Sequence, residues 1–187
     1  MAKKLFIGIK RLWYDDPATA APTQSDLSGL LASTKTGAFA GATEILNVHQ
    51  GTWGYSQDDP SVTEYINELN GKPYYRDKET DGAKTIAFTI GEYDYEDKVA
   101  LQGGELVKVG SSGSETVVGW KSSGALENIN KTIIGLTKTG KFIVFTNAAI
   151  IGKVDTQEKN LGLGITAIAT ESETTGVAAE YWFDPAN

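Results

Sequence analysis

The alternation of apolar and polar residues is clearest from Lys84 to Ile90, where Ile86, Phe88 and Ile90 fall on one face and Thr85, Ala87 and Thr89 on the other. A period of two residues is that of a β-strand with one buried face. After Gly91 the period changes. Asp94 is placed to cap a helix, and Glu96 and Asp97 fill a first turn where exposed N–H groups favour negative charge. Gly103-Gly104 can end the helix in a left-handed conformation. A helix is therefore predicted over Tyr95 to Gln102, with Tyr95 and Val99, at i and i+4, on the face that docks on a sheet.

Elsewhere the pattern is mostly of strands. Lys4 to Tyr14 reads as an opening strand with Leu5, Ile7 and Ile9 on one face, broken by Asp15-Asp16-Pro17. Leu27, Leu30 and Leu31 suit a short helix starting near Ser25 or Asp26, between loops over Pro17–Gln24 and Ser33–Ala42. Glu44–His49 and Thr52–Ser56 read as strands, and Val107–Gly124 as brief strands among Gly-Ser loops. Lys131–Leu136, a turn at Thr137–Gly140 and Lys141–Thr146 form a hairpin, extended through Ala148–Val154. Leu161, Leu163, Ile165, Ala167 and Ala169 line one face of a long strand, with Gly162 and Gly164 opposite leaving room for close packing. Val177–Phe183 is the last extended segment.

Asp58 to Lys78 fits two structures. Pro60 followed by Val62, Tyr65, Ile66 and Leu69 suits a helix with proline at its first position. Asn70-Gly71 is also a two-residue turn signal between Val62–Leu69 and Lys72–Arg76, and the β-branched and aromatic content favours that hairpin. The segment is too polar for a core, which makes it a candidate assembly arm, with Asp58, Asp59, Glu64, Glu68, Asn70 and Gly71 as its marked residues. No repeat or linker divides the chain, so residues 1–187 read as one β domain with long loops or arms at about 15–43 and 58–79.

Composition adds limits. Twenty-one glycines and four tryptophans suit a β-rich fold with many turns. No apolar run is long enough to span a membrane, and the apolar stretch before Lys10-Arg11 is too short for a signal peptide. Cysteine is absent, which removes disulfides and thiolate metal sites. The net charge of −7 is uneven: Glu44 to Glu105 holds thirteen acidic and five basic residues. Such a surface is poorly suited to binding phosphate backbones; solubility is the plainer reading of it, and a surface that passes DNA without holding it the sharper one.

Candidate chemistry is sparse. His49 is the one histidine, so any histidine-dependent triad must be built on it, and a structural place in a strand is the plainer reading. Asp94, Glu96 and Asp97 lack the ligand spacing of an EF-hand loop and suit helix capping; Asp155 to Asn160 suits a solvated turn. Gly103-Gly104 follows a helix, whereas a phosphate loop precedes one. Trp13, Trp53, Trp120, Trp182, Tyr74 and Tyr75 are too scattered for a sugar-stacking platform and read as core or interface anchors. Lys3, Lys4, Lys10 and Arg11 make a small basic start without interleaved aromatics. The residues point to no enzyme, cofactor or metal.

The strand, acidic corner and short helix closing in a double glycine between Asp81 and Leu106, with a later hairpin followed by Phe145-Thr146-Asn147-Ala148, resemble tail tube (major tail) proteins of long-tailed bacteriophages. The resemblance covers roughly Ile45 to Ala169 and also favours the hairpin at 58–78. It implies a mainly β fold: an antiparallel β-sandwich or flattened barrel with a flanking short α-helix. It also implies a structural virion protein, made in the bacterial host cytoplasm and placed in the tail, whose hexameric rings stack into a hollow tube. The implied partners are further copies of the chain and other phage tail proteins, with DNA passing through the tube without specific binding. The competing expectation is a monomeric β-sandwich module that binds glycans or a protein partner.

Overall fold

The computed structural model describes residues 4–32, 35, 37–125 and 127–184. Lys3 of the basic start, parts of the 33–42 loop and Pro185 lie outside the described residues. In chain order the elements are β1 (Arg11–Asp15), α1 (Gln24–Leu31), a 3-10 turn (Gly37–Phe39), β2 (Thr43–Ile45), β3 (Gly54–Gln57), β4 (Val62–Ile66), β5 (Pro73–Lys78) and β6 (Lys84–Ile90). There follow α2 (Tyr95–Gln102), β7 (Glu105–Val109), β8 (Thr116–Lys121), β9 (Ile129–Leu136), β10 (Phe142–Gln157), β11 (Asn160–Ala169) and β12 (Glu180–Phe183). The protein is mainly β, with antiparallel strand pairs and two short α-helices among the described residues.

The main sheet runs β2-β1-β9-β10-β11-β6-β3, with β12 as a further partner of β10. Strand β10 is its hinge. From Phe142 to Phe145 it lies between β9 and β12; the register shifts, and from Ala148 onward β11 takes the side that β12 held. The sheet therefore forks at β10. Residues 43–49 touch both branches: Thr43–Ile45 pair with β1, while Val48 bridges Ile90 of β6 and the His49 N–H donates to the Thr89 carbonyl.

The inner faces of the two branches share one core. Ile86, Phe88 and Ile90 of β6, with Leu163, Ile165 and Ala167 of β11, are buried with Leu12 and Tyr14 of β1, Ile133 of β9, and Ile143 and Phe145 of β10. Removing such apolar surface from water is the main favourable contribution to the fold. The other face of the β1-β9-β10 branch carries Trp13, Ile134, Leu136, Phe142 and Val144, covered by Leu27, Leu30 and Phe39. Helix α1 is set there by Thr23 and Asp26, each accepting the other's backbone N–H at 3.2 and 2.9 Å.

The expected strand from Lys4 is corrected by the structure: regular pairing begins at Arg11. Gly8 has φ of +54°, a conformation that breaks a strand. Leu5 and Ile7 are exposed, and the Leu5 and Ile7 carbonyls accept from Thr139 and Lys138 of the β9–β10 turn. The close packing expected at the paired glycines is present. A side chain on Gly162 would meet Thr89 Cγ2 at 2.6 Å, and one on Gly164 would meet Asp155 Cβ at 2.9 Å.

Candidate functional site

Residues 58–82 form a hairpin, not a helix, and it stands off the main sheet. Strands β4 and β5 pair only with each other, and every residue of β5 is exposed. The strands end sooner than Asn70-Gly71 suggested. The turn spans Asn67 to Lys72, closed by the Asn67 N–H on the Lys72 carbonyl at 2.9 Å. Asn67 Oδ1 accepts from the Leu69 N–H and Asn70 Oδ1 from the Lys72 N–H, local bonds typical of asparagine in turns. Gly71 takes φ of +68°. Glu64 pairs with Arg76 at 2.7 Å, and the Tyr65 and Tyr75 rings lie 5.6 Å apart. Asp58, Asp59 and Glu68 are exposed, and at the root the Asp58 N–H donates to the Ala83 carbonyl at 2.9 Å.

This hairpin is apolar as well as acidic. Val62, Tyr65, Ile66, Leu69, Tyr74 and Tyr75 are all exposed, Leu69 at 95% and Tyr74 at 69%. Two-stranded hairpins are marginal alone in water. A second hairpin, β7–β8, exposes Val107, Val109 and Val118. Its strands were read only as fragments in the sequence, because the Gly-Ser stretches obscure their alternation.

Helix α2 forms where expected, capped by Asp94 Oδ1 accepting from the Asp97 N–H at 2.7 Å. The side chain that enters the core is Leu101, with Tyr93 and Ala100 packed beside it; Tyr95 is exposed and Val99 half-buried. The reason is the close approach at the helix end. A Cβ on Gly152 of β10 would lie 2.2 Å from the Leu101 carbonyl oxygen, so the last turn, not the first, rests on the sheet. Lys98 lies over the Trp120 ring at 4.3 Å, and Trp120 Nε1 donates to the Gly103 carbonyl at 2.8 Å, tying β8 to the helix.

The other candidates have structural partners. His49 Nδ1 is 3.2 Å from the Gln50 carbonyl oxygen, and the Thr52 hydroxyl bonds the His49 backbone carbonyl instead of its ring. Asp97 accepts from the Tyr14 hydroxyl, while Glu96 is exposed. Asp155 is held below the usual carboxylate range by hydrogen bonds from Gln157 at 2.7 Å and Thr89 at 3.0 Å. The segment after it is the β10–β11 turn. Trp13 is fully buried, Trp53 packs against the inner core, and Trp182 stands partly exposed against Phe6; with Tyr74 and Tyr75 in the arm, the aromatics form no common face. Among the described residues no group of three or more histidine and carboxylate side chains is placed to hold a metal. No helix among them is long and apolar enough to cross a membrane. No protein-family model matches this chain, and none of the curated proteins compared with it matches either.

Proposed function

We propose that this protein is a structural subunit that self-assembles into stacked rings forming a hollow tube, as in the phage tail tube proteins its sequence resembles. The observation that carries this reading is the β4–β5 arm, whose Val62, Ile66, Leu69 and Tyr74 side chains stay exposed among the described residues. A second copy of the chain is the cover the reading supplies. The forked sheet with a shared core, flanked by α2, supports a sandwich or flattened-barrel fold of the tail-tube type, and the contacts of residues 43–49 with both β1 and β6 support a curved sheet. In this reading each ring has six subunits, DNA passes through the lumen without specific binding, other tail proteins are partners, and the subunit is made in the host cytoplasm and ends in the virion tail. Asp58, Asp59, Glu64, Glu68, Asn70 and Gly71 belong to the assembly arm, and the protein carries out no catalysis.

Negative-stain microscopy with sedimentation over a wide concentration range tests the proposal. Rings or tubes are expected at high concentration. Monomers throughout would overturn it in favour of a monomeric β-sandwich module for glycans or a protein partner.

A further inference from the structure

The arm and an open trough lie at opposite ends of the same strand pair. Strand β3 begins beside Trp53 and ends at Gln57, where the chain leaves for the arm; β6 returns from the arm at Lys84 and ends at Ile90, beside Val48 and His49. Seven residues of β6 separate the two sites, roughly 20 Å of extended chain. At the far end Ile9, Leu46, Val48 and Trp53 line two adjoining hollows that share Ile9 and Val48, the larger of ≈ 370 Å³. Leu46 is 82% exposed.

One charge pairing fits. The arm tip, Asn67 to Lys72, carries Glu68, which is exposed and in no ion pair among the described residues, beside Lys72. Lys138 lines the larger hollow and Lys10 the smaller, and neither has a carboxylate partner among the described residues, whereas Arg11 is already held by Glu44. A cavity of ≈ 580 Å³ beside Trp120 is a poorer match for Glu68: it contains Glu127 and no lysine or arginine.

We infer that the trough around Ile9, Leu46, Val48 and Trp53 receives the tip of the β4–β5 arm of a second copy, with Leu69 in the hollow and Glu68 facing Lys10 and Lys138. This rests on the assembly reading and adds to it the receiving surface and the sense of the contact. A projection at one end of a subunit and its receptor at the other make a heterologous contact, which propagates from copy to copy instead of closing a symmetric dimer.

The absence of cysteine makes a direct test possible. Leu69→Cys and Gln50→Cys, the latter at the trough rim, are introduced together into the full chain and oxidised. A ladder of disulfide-linked oligomers that needs both cysteines is the expected result. A ladder that forms instead when Leu69→Cys is combined with Ser123→Cys would overturn the inference by placing the arm at the larger cavity. Independently, the Lys10→Glu, Lys138→Glu double variant should raise the concentration needed for polymerisation at least tenfold, with recovery when Glu68→Lys is added. Normal polymerisation of the charge-reversed chain would overturn the trough and leave the assembly reading standing. An unaltered chain that stays monomeric, with no ladder from either cysteine pair, would overturn both.

Discussion

The Tyr14 hydroxyl donates to the Asp97 carboxylate at 2.7 Å, joining strand β1 to the first turn of helix α2. The bond crosses from one branch of the forked sheet to the helix that packs against β10, so it fixes the helix start while Leu101 fixes its end. Burial first, and this hydrogen bond second, hold the Tyr14 hydroxyl above the usual tyrosine range. Tyr55, bonded to Glu180 at 2.9 Å, is raised for the same two reasons.

Removing the hydroxyl in Tyr14→Phe should cost about 1 kcal/mol of stability at neutral pH, the net worth of one partly buried hydrogen bond. The pH dependence follows from the direction of the shift. A tyrosine raised in the folded state contributes its stability in full below the unfolded value of about 10 and loses it as pH rises from there toward the folded value. The unaltered protein should therefore weaken more steeply above pH ~10 than Tyr14→Phe or Tyr55→Phe. Urea titrations at several alkaline pH values check both parts.

Leu101→Asp should destabilise the subunit by several kcal/mol, because it buries a charge without a partner. Val99→Asp, at a half-buried position on the same helix, should cost clearly less. Equal losses for the two in chemical denaturation would contradict the docking described for α2.

Gly152→Ala tests the close approach of helix and sheet. The added methyl would overlap the Leu101 carbonyl, and overpacking of this kind costs about 1–3 kcal/mol. A melting temperature within error of the unaltered protein would show that the helix end yields without strain.

How far these features could be read in advance depended on whether the signal was local. Asp94 and Gly103-Gly104 marked both ends of α2 because a cap and a glycine stop act within one turn, although Gly103 takes φ of 83° with ψ of −171° and not the left-handed helical cap expected. The β9–β10 hairpin was legible for the same reason. The docking face of α2 was not: Tyr95 and Val99 satisfy the helical spacing, but the choice of Leu101 is made by Gly152, distant in sequence. Leu5, Ile7 and Ile9 alternate as a strand would, yet a strand needs an edge to pair with, and Arg11 is where the ladder with Leu136 begins. The arm's acidity was plain, but Leu69 and Tyr74 became informative only when the fold left them exposed among the described residues.

Excising residues 61–80 and joining Pro60 to Asp81 should leave a folded monomer. The arm's root is narrow: the Asp58 N–H already bonds Ala83, and a Cβ on Gly82 would touch the Asp58 carbonyl. Replacing a long excursion by a short link costs little. Circular dichroism should show an intact β-spectrum with a melting temperature near that of the unaltered chain, and microscopy should show no tubes. Normal tubes from the excised protein would remove the arm from assembly.

Duplex DNA should bind weakly, with no sub-micromolar affinity at physiological salt. Few cations are available to displace the counterions of the phosphate backbone, and several of them, Arg11, Lys84 and Lys141 included, are already engaged by carboxylates. A gel-shift titration at that salt decides this.

Strand β10 has a consequence for the order of synthesis. Its Ala148–Gln157 half is paired by β11, which follows at once, but its Phe142–Phe145 half waits for β12, with the whole of β11 emerging in between. During translation this stretch presents unpaired backbone groups, flanked by Phe142 and Phe145, until Glu180–Phe183 leaves the ribosome. A chain truncated before Glu180 should therefore be more aggregation-prone than the full chain.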